Sequence, residues 1–234
     1  MERAKVAVVT GGAQGIGRAI CEAFVREGIE VCTIDVQDND YFVGDIADER
    51  VLEAFAAKVI AEHSAIDYLI NNACLSKGGL NSCSYEDFNY VLRVGVSAPF
   101  RLTQLFRDHL NPGASIVNIS STRQRMSQAD TESYTAAKGG ISALTHAMAV
   151  TLAGKARVNA ISPGWIDTTG TEFTGADASQ HPAGRVGRPE DIANAVLFLC
   201  DPKNSFITGQ DLTVDGGMTR QMIYHDDAGW QFQP

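Results

Sequence analysis

The sequence predicts a single α/β domain built on a mostly parallel, doubly wound sheet. Three observations carry that reading: short β-branched runs recur along the chain, amphipathic segments lie between them, and a glycine-rich turn follows the first run. At 234 residues there is material for one large core. Hydrophobic residues make up 44% and charged residues 20%, with 22 Gly and only 7 Pro, which excludes the disordered and collagen-like classes.

The predicted strands are KVAVVT (5–10), EVCTID (30–35), YFVGD (41–45), DYLIN (67–71), SIVNIS (115–120), ARVNAIS (156–162) and DLTVD (211–215). Such apolar runs suit strands buried on both faces. Helical patterns fall near 15–27, 47–63, 84–109, 132–153 and 189–200, and the alternation implies parallel crossovers. One connection breaks the rhythm. Only residues 36–40 (VQDND) separate the second strand from the third, whereas a crossover carrying a helix needs about a dozen. That helix is expected to be missing, and the third strand to be a short edge strand. Residues 1–217 are expected to form the domain, and 218–234 a tail.

Twenty-eight acidic against 19 basic side chains give a net charge of -9, and no Lys/Arg run is present to neutralise successive phosphates. Nucleic acid is therefore excluded as an expected partner. The opening MERAKVAVVT gives way to GGAQG before reaching signal-peptide length, and no apolar stretch is long enough for a membrane span. A cytoplasmic protein is expected. Cys21, Cys32, Cys74, Cys83 and Cys200 are odd in number and never spaced CxxC, against both a disulfide framework and a zinc site. They are expected to be reduced and mostly buried.

The first strand runs into Thr10-Gly11-Gly12-Ala13-Gln14-Gly15-Ile16-Gly17 and then a helix that ends at Gly28. Glycines let backbone approach a pyrophosphate, and the helix start offers free N–H groups and a positive dipole. A bare strand-to-helix turn would look similar. The second strand ends in Asp35, eighteen residues beyond Gly17, where an acidic side chain meets the adenosine ribose hydroxyls of a dinucleotide. A carboxylate there repels a 2′-phosphate by about 4 kcal/mol per charge pair at ~4 Å, before screening. Neither Gln14 nor Val36 compensates. The cofactor expected is NAD(H) in preference to NADP(H). The alternative is an Asp35 that only opens a solvated turn with Asp38 and Asp40.

Tyr134 and Lys138 are four residues apart in a helical pattern, which places them on one face. The preceding strand delivers Ser120 and Ser121 at its carboxyl end, where doubly wound sheets place ligands. An ammonium one turn from a phenol stabilises the phenolate, so Tyr134 suits proton exchange. Ser121 suits donation to a substrate oxygen. A tyrosine packed on the sheet beside a solvated lysine is the competing reading.

Together these residues resemble the short-chain dehydrogenase/reductase (SDR) family over nearly the whole chain. TGGAQGIG (10–17) is similar to its TGxxxGxG turn and NNA (71–73) to its strand-four motif. Ser121, thirteen residues before Tyr134, resembles with Lys138 its catalytic Ser-Tyr-Lys set; Pro163-Gly164 with Thr168 resembles its PGxxxT segment. GRPED (187–191) and TG (208–209) with VDGG (214–217) are similar to its closing motifs.

The resemblance implies a Rossmann-like seven-stranded sheet in order 3-2-1-4-5-6-7, a homo-oligomer (tetramer or dimer), and NAD(P)-dependent alcohol/carbonyl oxidoreduction. By it, Tyr134 exchanges the proton, Lys138 holds the nicotinamide ribose, and Ser121 orients the carbonyl. It further assigns Gly11, Gln14, Gly15, Ile16 and Gly17 to the cofactor turn, and Asp45 and Ile46 to the adenine. Asn71, Asn72 and Ala73 go to the cleft, and Pro163, Gly164, Ile166 and Thr168 to the nicotinamide side.

Two positions depart from the family. Gly95 stands where the family carries an Asn that holds a water beside the Lys, so slower proton exchange is expected. Cys74 replaces a Gly, as a packed small residue or a redox thiol. The Gly95 departure keeps a second function open: a non-catalytic or weakly active NAD-binding sensor or scaffold.

Arg123 and Arg125 follow Ser121 and, with Trp165, are the substrate-side candidates. A guanidinium suits an anionic group, although a solvated or interface arginine fits equally. Residues 167–186 read as a short lid, and Tyr224, Trp230 and Phe232 in the tail as docking aromatics or as a frayed end. No metal site is expected: His225, Asp226 and Asp227 are consecutive and seldom converge.

Overall fold

The computed structural model describes residues 3–231, so Phe232 lies outside the described residues. Its seven strands are β1 (Val6–Thr10), β2 (Glu30–Asp35), β3 (Phe42–Val43), β4 (Ile66–Asn71), β5 (Leu110–Ile119), β6 (Ala156–Pro163) and β7 (Asp211–Val214). All pair in parallel, in the order β3-β2-β1-β4-β5-β6-β7. The expected topology is therefore the one observed.

Alternation along β1 feeds two cores. Val6 and Val8 face one layer with Phe55 of α2 (Glu49–His63), Leu102 and Phe106 of α4 (Ala98–Phe106) and Met148 of α5 (Glu132–Thr151). Ala7 and Val9 face the other with Ile20 and Phe24 of α1 (Gly15–Arg26) and Val196 and Leu199 of α7 (Pro189–Cys200). Each fully buried Ile, Leu or Phe contributes about 1.5–3 kcal/mol. β3 and β7 are only part-buried, unlike the interior strands, because each closes an edge of the sheet.

The connection after β2 carries no helix. Asn39 folds it instead: its Oδ1 accepts from the N–H of Tyr41 (3.0 Å) and Phe42 (2.9 Å), and its Nδ2 donates to the carbonyls of Gln37 and Phe42 (both 3.0 Å). This side-chain turn replaces a dozen residues of crossover.

The helix expected over 84–109 is divided. α3 (Tyr85–Leu92) passes into a wide π-helical turn, Arg93–Ser97, before α4 begins. Pro99 supplies the reason: it has no N–H for the carbonyl of Gly95 four residues back, and its ring crowds that carbonyl. The Ala98 N–H accordingly bonds the Arg93 carbonyl, five residues back. The widened turn presses on α5, since a Cβ at Gly95 would lie 2.9 Å from the Ala137 Cβ.

The cysteines differ from expectation. Cys32 and Cys200 are buried, Cys21 and Cys83 are part-buried, and Cys74 is exposed. Among the described residues, no helix is long and apolar enough to cross a membrane, and no group of His, Cys, Asp or Glu gathers as a metal cluster.

Candidate active site

The glycine turn is fixed by close backbone approach. Gly11 has a φ of +68°, and a Cβ on Gly17 would fall 1.9 Å from the Gly11 carbonyl oxygen. Asn72 laces this turn to the end of β4, its Nδ2 donating to the carbonyls of Thr10 and Gly11 (both 3.0 Å). Thr10 Oγ1 in return accepts from the N–H groups of Asn72 and Ala73 (both 3.0 Å). Gln14 precedes α1 without a side-chain cap, which leaves the first N–H groups of the helix for a ligand.

Beside the turn opens a cleft of about 450 Å³. Gly11, Gln14, Gly15, Ile16, Gly17, Asp35, Asp45, Ile46, Asn72, Ala73 and Thr168 line it. Asp35 is buried, and its carboxylate accepts from the N–H of Ala13 and of Gln37 (both 3.0 Å). Each oxygen keeps a lone pair for a hydroxyl donor. Excluded Cβ positions, uncapped helix N–H groups and a fixed acceptor together fit a dinucleotide.

Leu75, Tyr90 and Val94 are among the wall residues that sequence reasoning missed, with Ile34, Gln37 and Gly44. Tyr90 and Val94 are one helical turn apart, the single pattern by which they were detectable. Cys74 also lines the cleft, so it is a wall residue and not a packed one.

Ser121, Tyr134 and Lys138 lie outside the lining of that cleft: β5 hands over to a short turn, Thr122–Gln124, with Ser121 at its start. Ser121 Oγ accepts from the Arg123 N–H at 3.2 Å, which leaves the hydroxyl proton to donate outward. Tyr134 and Lys138 rise from the first turns of α5. Lys138 is buried, its ammonium lies 5.4 Å from the Tyr134 ring centroid, and it donates to the Ile119 carbonyl at 2.7 Å. The Arg123 guanidinium approaches the same ring at 5.9 Å and pairs with Gln128.

A polar chain that the sequence did not advertise fixes α5 here. Asp211 Oδ2 accepts from Ser142 (3.0 Å) and from Gln124 (2.6 Å), and the Ser120 hydroxyl has the Lys138 carbonyl (3.0 Å) and Ser142 Oγ (2.7 Å) as alternative acceptors for its one proton.

Other expected residues stand apart. Asn71 does not line the cleft; its amide donates to Asn118 (2.8 Å), which donates to Thr145 (2.9 Å), between β4, β5 and α5. Pro163 ends β6, and Gly164 is a close-approach residue, where a Cβ would meet that of Asp215 at 2.6 Å. Ile166 pairs with Gly187 at the base of the segment 167–186. Trp165 packs edge-on against Phe173 (4.8 Å between centroids) and near His181 (6.1 Å). The segment expected as a lid, 167–186, also holds a one-turn helix, α6 (Ala176–Ser179). Arg125 is exposed. In the tail, Trp230 packs on His225 (6.5 Å), and its carbonyl accepts from the Asp226 N–H (2.7 Å).

A family model described as enoyl-(acyl carrier protein) reductase matches residues 11–219. The chain is 38% identical to an uncharacterized oxidoreductase of Thermotoga maritima, over 97% of this chain and all of that one. It is 32% identical to the 3-oxoacyl-[acyl-carrier-protein] reductase of the same organism, over 92% and 97% of the two chains. Among solved structures it is similar to an apo SCOR enzyme from Clostridium thermocellum, at 45% identity with a TM-score of 0.92 and full coverage of both chains. With its sheet order and its cofactor-type cleft, this chain belongs to the short-chain dehydrogenase/reductase family of oxidoreductases, which use a nicotinamide cofactor.

Proposed function

We propose that this protein interconverts a secondary alcohol and its ketone with NAD(H), Tyr134 acting as the acid/base. The observation that carries this is the Tyr134–Lys138 pair on one face of α5, with the ammonium 5.4 Å from the ring centroid and Ser121 at the adjoining end of β5. When bound, the nicotinamide supplies the hydride chemistry. The protein's part is positional and protic. Tyr134 gives its proton to, or takes one from, the substrate oxygen. Ser121 donates a hydrogen bond to that oxygen. Lys138 holds positive charge beside the phenol and keeps two donors for ribose hydroxyls after its bond to Ile119.

Asp35, already held by two backbone N–H groups, supports NAD(H) over NADP(H). Similarity to a 3-oxoacyl-[acyl-carrier-protein] reductase supports ketone reduction as one direction. Arg123, beside the Tyr134 ring, is the residue proposed for an anionic substrate group, with Arg125 and Trp165 at the rim. The resemblance to the family supports a homo-oligomer, which sedimentation velocity measures. The test of function is absorbance of reduced nicotinamide during turnover of a panel of secondary alcohols and ketones, native protein against Tyr134→Phe. Turnover that survives in the variant at the native rate overturns the proposal.

A further inference from the structure

The cleft that holds Asp35 is also lined by the apolar Ile46, Leu75 and Val94, a slot whose polar edge is Asp45 with Tyr90. At that edge the Tyr90 hydroxyl donates to Asp45 Oδ2 at 2.9 Å, while Asp45 Oδ1 accepts from the Ala47 N–H at 2.9 Å. The carboxylate is thus held from both sides, by the backbone of its own loop and by a phenol from α3. Held so, it is an acceptor only, and each oxygen retains one lone pair.

We propose that Tyr90 is a positioning residue for base selectivity: by fixing Asp45 it makes the slot accept a 6-aminopurine and disfavour a 6-oxopurine. The inference rests on the dinucleotide reading of the cleft. It follows from the order of sites along the cleft. The glycine turn takes the phosphates, Asp35 the ribose, and the base reaches the apolar slot beyond. An amino group at the edge of that base gives a proton to the fixed carboxylate. A carbonyl oxygen there sets acceptor against acceptor and leaves a polar pair unmade.

Burial and the bond to Asp45 push the Tyr90 phenol up, so it stays a donor through the neutral range. The Arg93 guanidinium, 5.8 Å from the Tyr90 ring centroid, adds a contact on the solvent side. Without the Tyr90 proton the carboxylate is tethered on one oxygen only and turns, and its preference between amino and oxo groups declines.

The experiment is calorimetric titration with NADH and with its hypoxanthine analogue, in which a 6-oxo group and an N1–H replace the 6-amino group and the bare N1. Native protein is expected to favour NADH by roughly tenfold. Tyr90→Phe, which keeps the ring and removes the hydroxyl, is expected to reduce that ratio to about threefold or less. Asp45→Asn, whose amide can present either a donor or an acceptor, is expected to bring it near unity. The double variant is expected to match Asp45→Asn alone, because Tyr90 acts through that carboxylate. The ratio separates positioning from general damage, since a loosened fold weakens both ligands alike. Tyr90→Phe with the native ratio overturns the inference, as does native protein without preference. Native protein that binds neither dinucleotide overturns the cofactor reading together with it.

Discussion

The glycine turn and the segment 167–186 are built on opposite plans. In the first, backbone crowds backbone: Gly17 has no room for a methyl group, and Asn72 and Thr10 lace two strands together with four hydrogen bonds of 3.0 Å. In the second, residues 167–186 are mostly exposed and are held by a few side-chain contacts, such as Trp165 on Phe173. Where geometry excludes every residue but glycine, residue identity records the fold. Where side chains lie over one another at the surface, many sequences would serve.

The largest expected effect falls on a residue in neither segment. Tyr134→Phe should lower kcat by roughly 10²- to 10⁴-fold while leaving NADH affinity within about twofold, measured by steady-state kinetics and titration calorimetry. A parallel loss of affinity would mean that the phenol belongs with the glycine turn instead. Gly17→Ala sharpens the contrast from the other side. Its methyl meets the Gly11 carbonyl, so it should cost about 3 kcal/mol in urea unfolding and abolish dinucleotide binding. Asp35→Asn removes the charge but keeps the shape, and should shift the NAD:NADP affinity ratio toward NADP by about tenfold.

Two smaller effects probe looser joints. Gly95→Ala should destabilise by about 1 kcal/mol, because its methyl would meet the Ala137 Cβ at 2.9 Å; adding Ala137→Gly should recover most of that loss. At the end of the segment 167–186, the Arg185 guanidinium bonds Asp191 at 2.7 Å and holds its carboxyl below the usual carboxylate range. A carboxyl lowered on folding stabilises fully above its unfolded value near pH 4, and that stabilisation is lost as pH falls through the folded value. Asp191→Asn should therefore flatten the acid limb of a melting-temperature profile, by less than about 1 kcal/mol for a half-exposed pair.

Legibility follows the same division. The missing helix after β2 and the glycine turn could be read because each depends on spacing or on an excluded side chain, whereas the sheet order came from the resemblance to the family. The break within residues 84–109 was written in Pro99, but its effect falls on Gly95, four residues upstream, and a helical pattern alone does not show it. Asn71 belongs to a motif but spends its amide on Asn118, a pairing set only when β4 and β5 lie side by side. Ser142 and Asp211 are 69 residues apart and meet only in the folded chain. Tyr90 stayed silent because one aromatic in an amphipathic helix looks like any other.

The Asn39 loop has a practical consequence. Behind it, Tyr41 is pinned by its hydroxyl to Glu62 (2.6 Å) and by Lys58 over its ring (3.9 Å), so the chain re-enters the sheet from a secure post. Ahead of it, Gln37 and Asp38 are exposed. Extra length inserted between Asp38 and Asn39 would give up the Asn39 bond to the Gln37 carbonyl but extrude into water, and each doubling of such a loop costs only about 0.6 kcal/mol of closure entropy. The molecule thus offers protein engineers a natural splice point on the rim of its nucleotide groove, where a grafted peptide could serve as a reporter of occupancy.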